Sequence, residues 1–104
     1  IMGAMPEEIE PILKKVQNYT TVEYAGNKYY EATYNGVELV IAYSKIGKVF
    51  STLTAATMIE HFNATKLLFS GVAGAISNDL KVGDLIVATK LAQHDLDITA
   101  FGHP

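Results

Sequence analysis

The chain has 104 residues, of which 49% are hydrophobic and 18% are charged, a composition that excludes a disordered or collagen-like protein. It has no cysteine, which excludes disulfides, cysteine-bound metals and thiol catalysis. Eight basic residues, all lysine and spread along the chain, against eleven acidic ones give a net charge of −3, so we expect no nucleic-acid partner. The longest uncharged run, residues 67–78, is too short and too polar to span a membrane, so we expect no membrane partner.

Neither end of the sequence reads as a natural boundary. The chain starts at Ile1 in an apolar stretch without basic residues and soon reaches Glu7 and Glu8, which is not the pattern of a signal peptide. It stops at Pro104 in what the pattern indicates is a loop. We therefore expect a cytoplasmic location and a fragment of a longer protein.

The sequence pattern of residues 1–43 predicts a strand, a helix and three further strands. The first five residues read as the end of a buried strand and a tight turn, and Pro6 suits the first turn of a helix. Apolar residues then recur at helical spacing, although Pro11 is expected to keep this helix short or irregular. Residues 19–43 alternate instead, and with Asn35-Gly36 as a strong hairpin signal they predict a three-stranded antiparallel meander.

The rest of the chain predicts one helix and two more strands. The helix is expected from about residue 49 to residue 62, and residues 66–69 read as a short buried strand. Residues 84–91 read as a further β-rich segment, followed by a loop. The side of the helix expected to be buried carries Leu53, Ala56, Met58, Ile59 and Phe62. The order β-α-βββ-α-β-β predicts the α/β class, with a mixed sheet flanked by helices.

Glu7 and Glu8 follow the first predicted strand and open the first helix. Ligands of open α/β sheets bind beyond the carboxyl ends of strands, where a carboxylate can deprotonate water or hold a ribose hydroxyl. On spacing alone, the same two residues are better explained by the helix macrodipole, because acidic side chains are favourable in the first turn. Both interpretations remain open at this point.

Two further segments combine glycine with a position next to a strand end. Gly71-Val72-Ala73-Gly74 follows the predicted buried strand, and its small residues either admit a ligand to the backbone or allow close packing. It lacks the spacing of the Rossmann and P-loop motifs. Residues 44–49 place two lysines and a glycine before a helix, which predicts either an anion site or a plain turn with solvated lysines.

The last candidates lie near the end of the sequence. His94 lies beside Asp95 and Asp97, but neighbouring residues in one loop do not make a coordination sphere. We therefore expect neither a metal nor a cofactor. Phe101 lies near glycine and proline in a late loop, a context that favours an interface over the core.

Five motifs taken together resemble one family. They are Gly3-Ala4-Met5-Pro6-Glu7-Glu8, Ser44-Lys45-Ile46-Gly47-Lys48-Val49, Ser70-Gly71-Val72-Ala73-Gly74, Val82-Gly83-Asp84 and Asp97-Ile98-Thr99-Ala100-Phe101-Gly102. In this order and spacing they resemble the N-terminal half of bacterial 5′-methylthioadenosine/S-adenosylhomocysteine nucleosidases. The residues within these motifs are most similar to those of the ε-proteobacterial enzymes, which also cleave 6-amino-6-deoxyfutalosine. The resemblance covers the whole chain but less than half of such an enzyme.

The resemblance implies a purine nucleoside phosphorylase-like fold, with residues 1–104 as the N-terminal part of a single nucleosidase domain. It also implies hydrolysis of the bond between adenine N9 and ribose C1′, in methionine and adenine salvage and in menaquinone synthesis. Glu8 takes the position of the carboxylate that holds and activates the attacking water. The chemistry agrees, because a developing ribosyl cation needs a nearby anion and an aligned water.

Other positions correspond to the substrate pocket of the family. Met5 matches a residue beside the ribose, and Ile46 matches part of the pocket for the alkylthio tail. The segment along the purine corresponds to Val72, Ala73 and Gly74. Ile98 and Phe101 match residues that one subunit lends to the tail pocket of its neighbour, which implies a homodimer acting on a small adenine nucleoside.

The chain also departs from the family pattern. Val72 stands where some members have serine, and Pro6 where many have an acidic or polar residue. The family's adenine-protonating aspartate and its ribose-binding glutamate lie in the second half, so we expect these 104 residues alone to have no activity. The nearest alternative is a nucleoside phosphorylase, but those enzymes bind phosphate with arginine, which this chain lacks. A non-catalytic nucleoside-binding module is the other alternative, and Glu8 argues against it.

Overall fold

A computed structural model describes residues 1–92, 100 and 102. The chain divides into two compact units, Ile1–Ala73 and Gly74–Pro104. The helices and strands of the described residues are β1 (Met2–Gly3), α1 (Pro6–Val16), β2 (Tyr19–Tyr24), β3 (Asn27–Tyr34), β4 (Val37–Tyr43) and α2 (Lys48–Glu60). The strands form a mixed sheet in the order β1-β4-β3-β2. This confirms the predicted α/β class.

Helix α1 begins at Pro6, as predicted. Proline suits this position because the N–H it lacks has no partner within the helix, and acidic residues in the first turn and lysines in the last complement the helix dipole. The expectation that Pro11 would keep the helix short is wrong, because α1 continues to Val16. Pro11 is exposed, and α1 packs against β1, β3 and β4, which offsets the one backbone hydrogen bond that proline removes.

Strands β2, β3 and β4 form the predicted antiparallel meander. Tyr34 pairs with Val37, so only Asn35 and Gly36 lie in the second turn. Their φ angles are 50° and 78°, the left-handed pair that a type I′ hairpin requires. The Asn35-Gly36 pair therefore determines the position of this turn and, with it, the register of β3 against β4.

The two helices cover opposite faces of the sheet. Ile9 of α1 and Ile41 of β4 are buried on one face. Successive residues of a strand point to opposite faces, and Ala42 accordingly belongs to the other face, where it joins Met2 and Met58 of α2 in the core. The site described below thus lies on a sheet that is packed on both sides.

The buried side predicted for α2 is largely wrong. Met58 is buried and Phe62 is half-buried, but Leu53, Ala56 and Ile59 are exposed. Helix α2 carries apolar residues around most of its circumference, so spacing alone does not identify the face that meets the sheet.

The buried strand predicted at residues 66–69 is formed only in part. The N–H of Met2 donates to the Leu68 carbonyl at 2.8 Å, and the N–H of Ser70 donates to the Met2 carbonyl at 2.9 Å. A single parallel bridge pairs Met2 with Phe69. The backbone thus pairs with β1 over a short stretch, but the expected burial is wrong, since Leu68 and Phe69 are exposed and no described element covers them.

In the second unit, the strand predicted at residues 84–91 is not formed. The side chains of Leu85 and Val87 are 96% and 88% exposed. An alternating pattern makes a strand only where a neighbouring strand accepts its hydrogen bonds, and the described residues supply no such neighbour. Residues 74–92 form turns instead, one of them closed by the Lys81 N–H, which donates to Asp84 Oδ2 at 2.8 Å.

Candidate active site at the carboxyl edge of the sheet

Three segments of the chain leave the sheet at the same edge. Strands β1 and β4 are parallel, with Gly3 paired to Tyr43, and residues 68–70 run parallel to β1 on its other side. Parallel strands place their carboxyl ends together, and this edge is where open α/β sheets bind ligands. The turn into α1, the loop at residues 44–47 and the segment after Ser70 therefore begin side by side.

Glu8 lies in the first turn of α1, and its carboxylate folds back over the start of the helix. Oε2 accepts the N–H of Ala4 at 2.6 Å and the N–H of Met5 at 3.3 Å. Met5 is the N-cap residue with an extended backbone, and its carbonyl accepts the N–H of Glu8 at 3.0 Å. The carboxylate thus pairs with amides that the helix itself leaves without partners.

The two oxygens of Glu8 have different surroundings. Oε2 is occupied by backbone donors, whereas no hydrogen bond from the described part of the chain reaches Oε1. The side chain is half-buried, while that of neighbouring Glu7 is exposed. The structure thus separates two residues that the sequence left equivalent, since only Glu8 presents an oriented and partly free carboxylate at this edge.

Two glycines flank this carboxylate. A Cβ built on Gly3 would lie 3.0 Å from Oε2 of Glu8, and a Cβ built on Gly71 would lie 3.3 Å from Oε1. The sequence pattern indicated Gly71 as a small residue that could admit a ligand, but it indicated no role for Gly3. A glycine at the end of a strand is a known signal of close backbone approach, and it could have indicated Gly3 as well.

The loop after β4 is tied to the first strand through Ser44. This residue is buried, its N–H donates to the Gly3 carbonyl at 2.8 Å, and its Oγ donates to the Lys45 carbonyl at 2.8 Å. The Lys45 ammonium lies 5.7 Å from the centroid of the Phe50 ring, a cation–π distance. Ile46, predicted in the tail pocket, is 73% exposed.

The remaining predicted site residues are only partly located. Val72 directly follows Gly71 and is 84% exposed, Ala73 ends the first unit, and Gly74 begins the second. Ile98 and Phe101 lie outside the described residues. The structure therefore brings Met5 and Glu8 together, and it places Ile46 and Val72 on segments that begin at the same edge.

Cavities also lie elsewhere on the first unit, and two of them are large. One of about 1000 Å³ is lined by strands β2 to β4, Phe62 and residues 63–68. The other, of about 710 Å³, lies between α1 and the meander and is lined in part by Tyr19, Tyr30 and Tyr43. Neither is lined by Glu8, so its carboxylate lies at an open edge of the sheet rather than inside either cavity.

Membrane-spanning and metal-binding features are both absent from the part of the chain that the structure describes. None of its helices is long and apolar enough to cross a bilayer. It holds no group of three or more His, Cys, Asp or Glu side chains arranged to bind a metal ion. His94, Asp95 and Asp97 lie outside that part.

Comparison with known proteins gives a consistent result over the whole chain. The model of the phosphorylase superfamily matches residues 1–104. An aminodeoxyfutalosine nucleosidase of Campylobacter jejuni is 64% identical over 104 residues, which make up 100% of this chain and 45% of that protein. The chain thus spans less than half the length of this curated relative.

Solved structures agree in fold. A 5′-methylthioadenosine/S-adenosylhomocysteine nucleosidase of C. jejuni is 63% identical with a TM-score of 0.91. A Helicobacter pylori nucleosidase of the same name, solved with butyl-thio-DADMe-Immucillin-A, is 51% identical with a TM-score of 0.91. Each match covers 99% of this chain and 45% of the other. The resemblance inferred from the five motifs is confirmed.

Proposed function

The chain belongs to the phosphorylase superfamily, and on that premise we propose that the intact protein hydrolyses the N-glycosidic bond of adenine nucleosides. The proposed substrates are 5′-methylthioadenosine, S-adenosylhomocysteine and 6-amino-6-deoxyfutalosine, with adenine as the common product. Residues 1–104 form the N-terminal part of one nucleosidase domain in this proposal. Support for the substrates comes from relatives that are named for them and are 64% and 63% identical to this chain.

The observation that carries the proposal is the carboxylate of Glu8, which has one oxygen fixed by backbone amides and the other without a hydrogen bond from the described residues. In the proposed step, a water bound to Oε1 attacks C1′ as the C1′–N9 bond breaks. The carboxylate stabilises the cationic sugar and accepts the proton of the water. Adenine leaves with a proton from an acid outside these residues, and the sugar leaves as the free hemiacetal.

The fixed position of Glu8 explains how it would assist this reaction. The hydrogen bonds to Ala4 and Met5 hold the carboxylate before substrate binds, so little reorganisation is needed as charge develops on the sugar. Water, a carboxylate and the acid that protonates adenine supply every group that this step needs, so the proposal includes no metal or cofactor. We place the reaction in the cytoplasm, without a nucleic-acid or membrane partner.

The substrate would extend from Glu8 over the neighbouring segments. Met5 lies beside the ribose in this proposal, and Ile46 contacts the alkylthio tail. The purine lies along Val72, Ala73 and Gly74. Two observations support this arrangement. The segments that carry these residues leave the sheet at the same edge, and the side chains of Ile46 and Val72 are exposed and therefore accessible.

We extend the proposal to a homodimer in which Ile98 and Phe101 complete the tail pocket of the neighbouring subunit. The support is the motif resemblance, together with the 73% exposure of Ile46, an apolar side chain that a pocket for a thioalkyl tail would have to enclose. Replacing Phe101 by alanine should raise KM for methylthioadenosine more than it lowers kcat. An unchanged KM, or a monomer by light scattering, contradicts the dimeric pocket.

The function is tested by adenine release from the intact protein, measured on each of the three nucleosides with and without phosphate. We expect a rate that is independent of phosphate and a free sugar as the second product. Phosphate dependence with formation of a sugar 1-phosphate would instead identify a phosphorylase. The isolated 104-residue chain should release no adenine, and detectable release from it contradicts that part of the proposal.

The role of Glu8 is tested with a matched pair of substitutions. Glu8→Gln removes the base and should lower kcat by about 100-fold or more, as the loss of a general base does, while methylthioadenosine still binds. Glu7→Gln removes the same charge from an exposed neighbour and should leave kcat within about twofold, as is usual for surface substitutions. Equal activity of the two variants would show that Glu8 is not the base, and binding without turnover by the wild type would favour a non-catalytic module.

A further inference from the structure

Gly71 lies beside the free oxygen of Glu8. A Cβ at this position would be 3.3 Å from Oε1 and 3.4 Å from the carboxyl carbon of Glu8. Gly3 lies on the other side, where a Cβ would be 3.0 Å from Oε2. The carboxylate is thus bounded by two residues without side chains, one next to each oxygen.

A water that binds Oε1 on this side would compete for space with a side chain at position 71. A water oxygen lies roughly 2.8 Å from an acceptor oxygen, and a methyl group 3.3 Å from Oε1 would occupy much of the same region. Oε2 offers no equivalent position, because its acceptor capacity is directed to the amides of Ala4 and Met5. The size of the side chain at residue 71 therefore affects the space available to a water at Oε1, the oxygen that receives no hydrogen bond from the described residues.

We propose that Gly71 is a positioning residue for hydrolysis, keeping open the place beside Oε1 of Glu8 that the attacking water occupies. This inference rests on the proposed function and adds a residue to it. Gly71 does not take part in the chemistry itself. Its contribution is the absence of a side chain, which lets the water bind Oε1 and align with the sugar.

The test is Gly71→Ala in the intact protein, assayed by adenine release from methylthioadenosine. Misplacing a reacting group by about 1 Å can cost about 100-fold in rate, so we expect kcat to fall by about 10- to 100-fold. KM should stay within about twofold, because the methyl group displaces the water rather than the nucleoside. An unchanged kcat, or a loss confined to KM, overturns the proposal.

A second contact of the added methyl group requires its own control. The Cβ would also lie 3.0 Å from Cε1 of the Phe69 ring, so the variant could act by displacing that ring. Phe69→Ala removes the ring, and against this background Gly71→Ala should still lower kcat by a similar factor. Recovery of kcat in the double variant would assign the effect to Phe69 and overturn the proposal.

Two further measurements separate the possible failures. Wild type and Glu8→Gln are assayed alongside: an inactive wild type overturns the proposed function and this inference together, whereas an active wild type with a fully active Gly71→Ala overturns only the inference. Should Gly71→Ala fail to fold, a high-resolution crystal structure of the intact wild type decides. A water within hydrogen-bond distance of Oε1 on the Gly71 side supports the proposal, and protein atoms filling that space overturn it.

Discussion

The carboxylate of Glu8 returns to the backbone of Ala4, four residues earlier in the chain, with Oε2 2.6 Å from the amide nitrogen. This contact closes the turn between β1 and α1. It is also a charge-assisted hydrogen bond, which is shorter and stronger than one between neutral groups. The side chain that we propose as the base therefore also shapes the turn that carries it, and its structural and chemical roles can be separated by measuring stability and rate independently.

Replacing Glu8 by alanine should destabilise the intact protein. The N–H of Ala4 would lose its acceptor in a half-buried position, and a lost hydrogen bond to a charged group typically costs about 1–3 kcal/mol. The free energy of unfolding, measured by urea denaturation, should fall within this range. Glu7→Ala is the matched control and should change it by no more than about 0.5 kcal/mol, as exposed substitutions do. Equal effects at both positions would mean that the contact with Ala4 contributes nothing.

A side chain at position 3 should be tolerated less well than one at position 71. A Cβ on Gly3 would lie 2.9 Å from the Ser70 carbonyl oxygen, a backbone atom that cannot move without breaking the hydrogen bond from Ser70 to Met2. Overpacking of this kind costs about 1–3 kcal/mol. Gly3→Ala should therefore lower the thermal midpoint of the intact protein well below that of Gly71→Ala. A Gly3→Ala protein as stable as wild type contradicts this close approach.

The parts of the fold that follow from local rules were predictable from the sequence. Pro6 marked the start of α1, and Asn35-Gly36 marked the second hairpin turn and fixed its register. Each signal acts within a few residues, through a fixed φ angle or a tolerated positive one. The α/β class followed from the order of these local elements.

The failures concern packing between distant parts of the chain. Residues 84–91 alternate like a strand but find no partner among the described residues, and Leu53 and Ile59 of α2 are exposed although their spacing predicts burial. A hydrophobic pattern shows that one face of a helix or strand is apolar, but it does not show which part of the protein packs against that face. The chain spans 45% of the length of its C. jejuni relative, so a pattern read from it need not find its cover within it.

The candidate site was likewise predictable from the sequence only where its features are local. The order of the motifs pointed to Glu8 and to the glycine segment. The difference between the two carboxylate oxygens of Glu8, however, depends on backbone amides and on Gly71, which is 63 residues from Glu8 in the chain and next to its carboxylate in space. No spacing rule within one helix indicates such a contact. The resemblance supplied a role for Glu8, and the geometry added how the side chain is held.

An aromatic pair links the end of α2 to the first hairpin, and we expect it to contribute measurable coupling. The rings of Tyr24 and His61 stack with centroids 3.8 Å apart and planes 18° from parallel, and Phe62 meets His61 edge to face. Aromatic pairs contribute about 0.5–1.5 kcal/mol beyond area burial. A double-mutant cycle with Tyr24→Leu and His61→Leu should give about 0.5 kcal/mol, at the lower end because both side chains are exposed. A coupling energy of zero would show that the stack is incidental.

Alkaline pH should weaken the fold through Tyr30. Burial raises the pKa of Tyr30 above its ordinary value of 10.0, and the charges that Tyr43 and Tyr19 acquire on ionisation raise it further. The folded state therefore keeps the Tyr30 proton to higher pH than the unfolded state does. Between the two pKa values the folded state binds more protons, so the free energy of unfolding falls as pH rises. This contribution is complete below pH 10 and is lost as pH rises through the raised pKa.

Tyr30→Phe removes the ionisable hydroxyl and tests this sign. Urea denaturation of the intact protein at pH 8 and at several values above pH 10 should show a smaller loss of stability in the variant than in the wild type. Tyr34→Phe, on the same strand but outside the cavity that Tyr30 lines, is the matched control. Because the raised pKa depends on burial beside two other tyrosines, Tyr43→Phe should reduce the alkaline loss as well. An identical slope above pH 10 in the wild type and Tyr30→Phe would show that the tyrosine cluster does not hold its proton in the folded state.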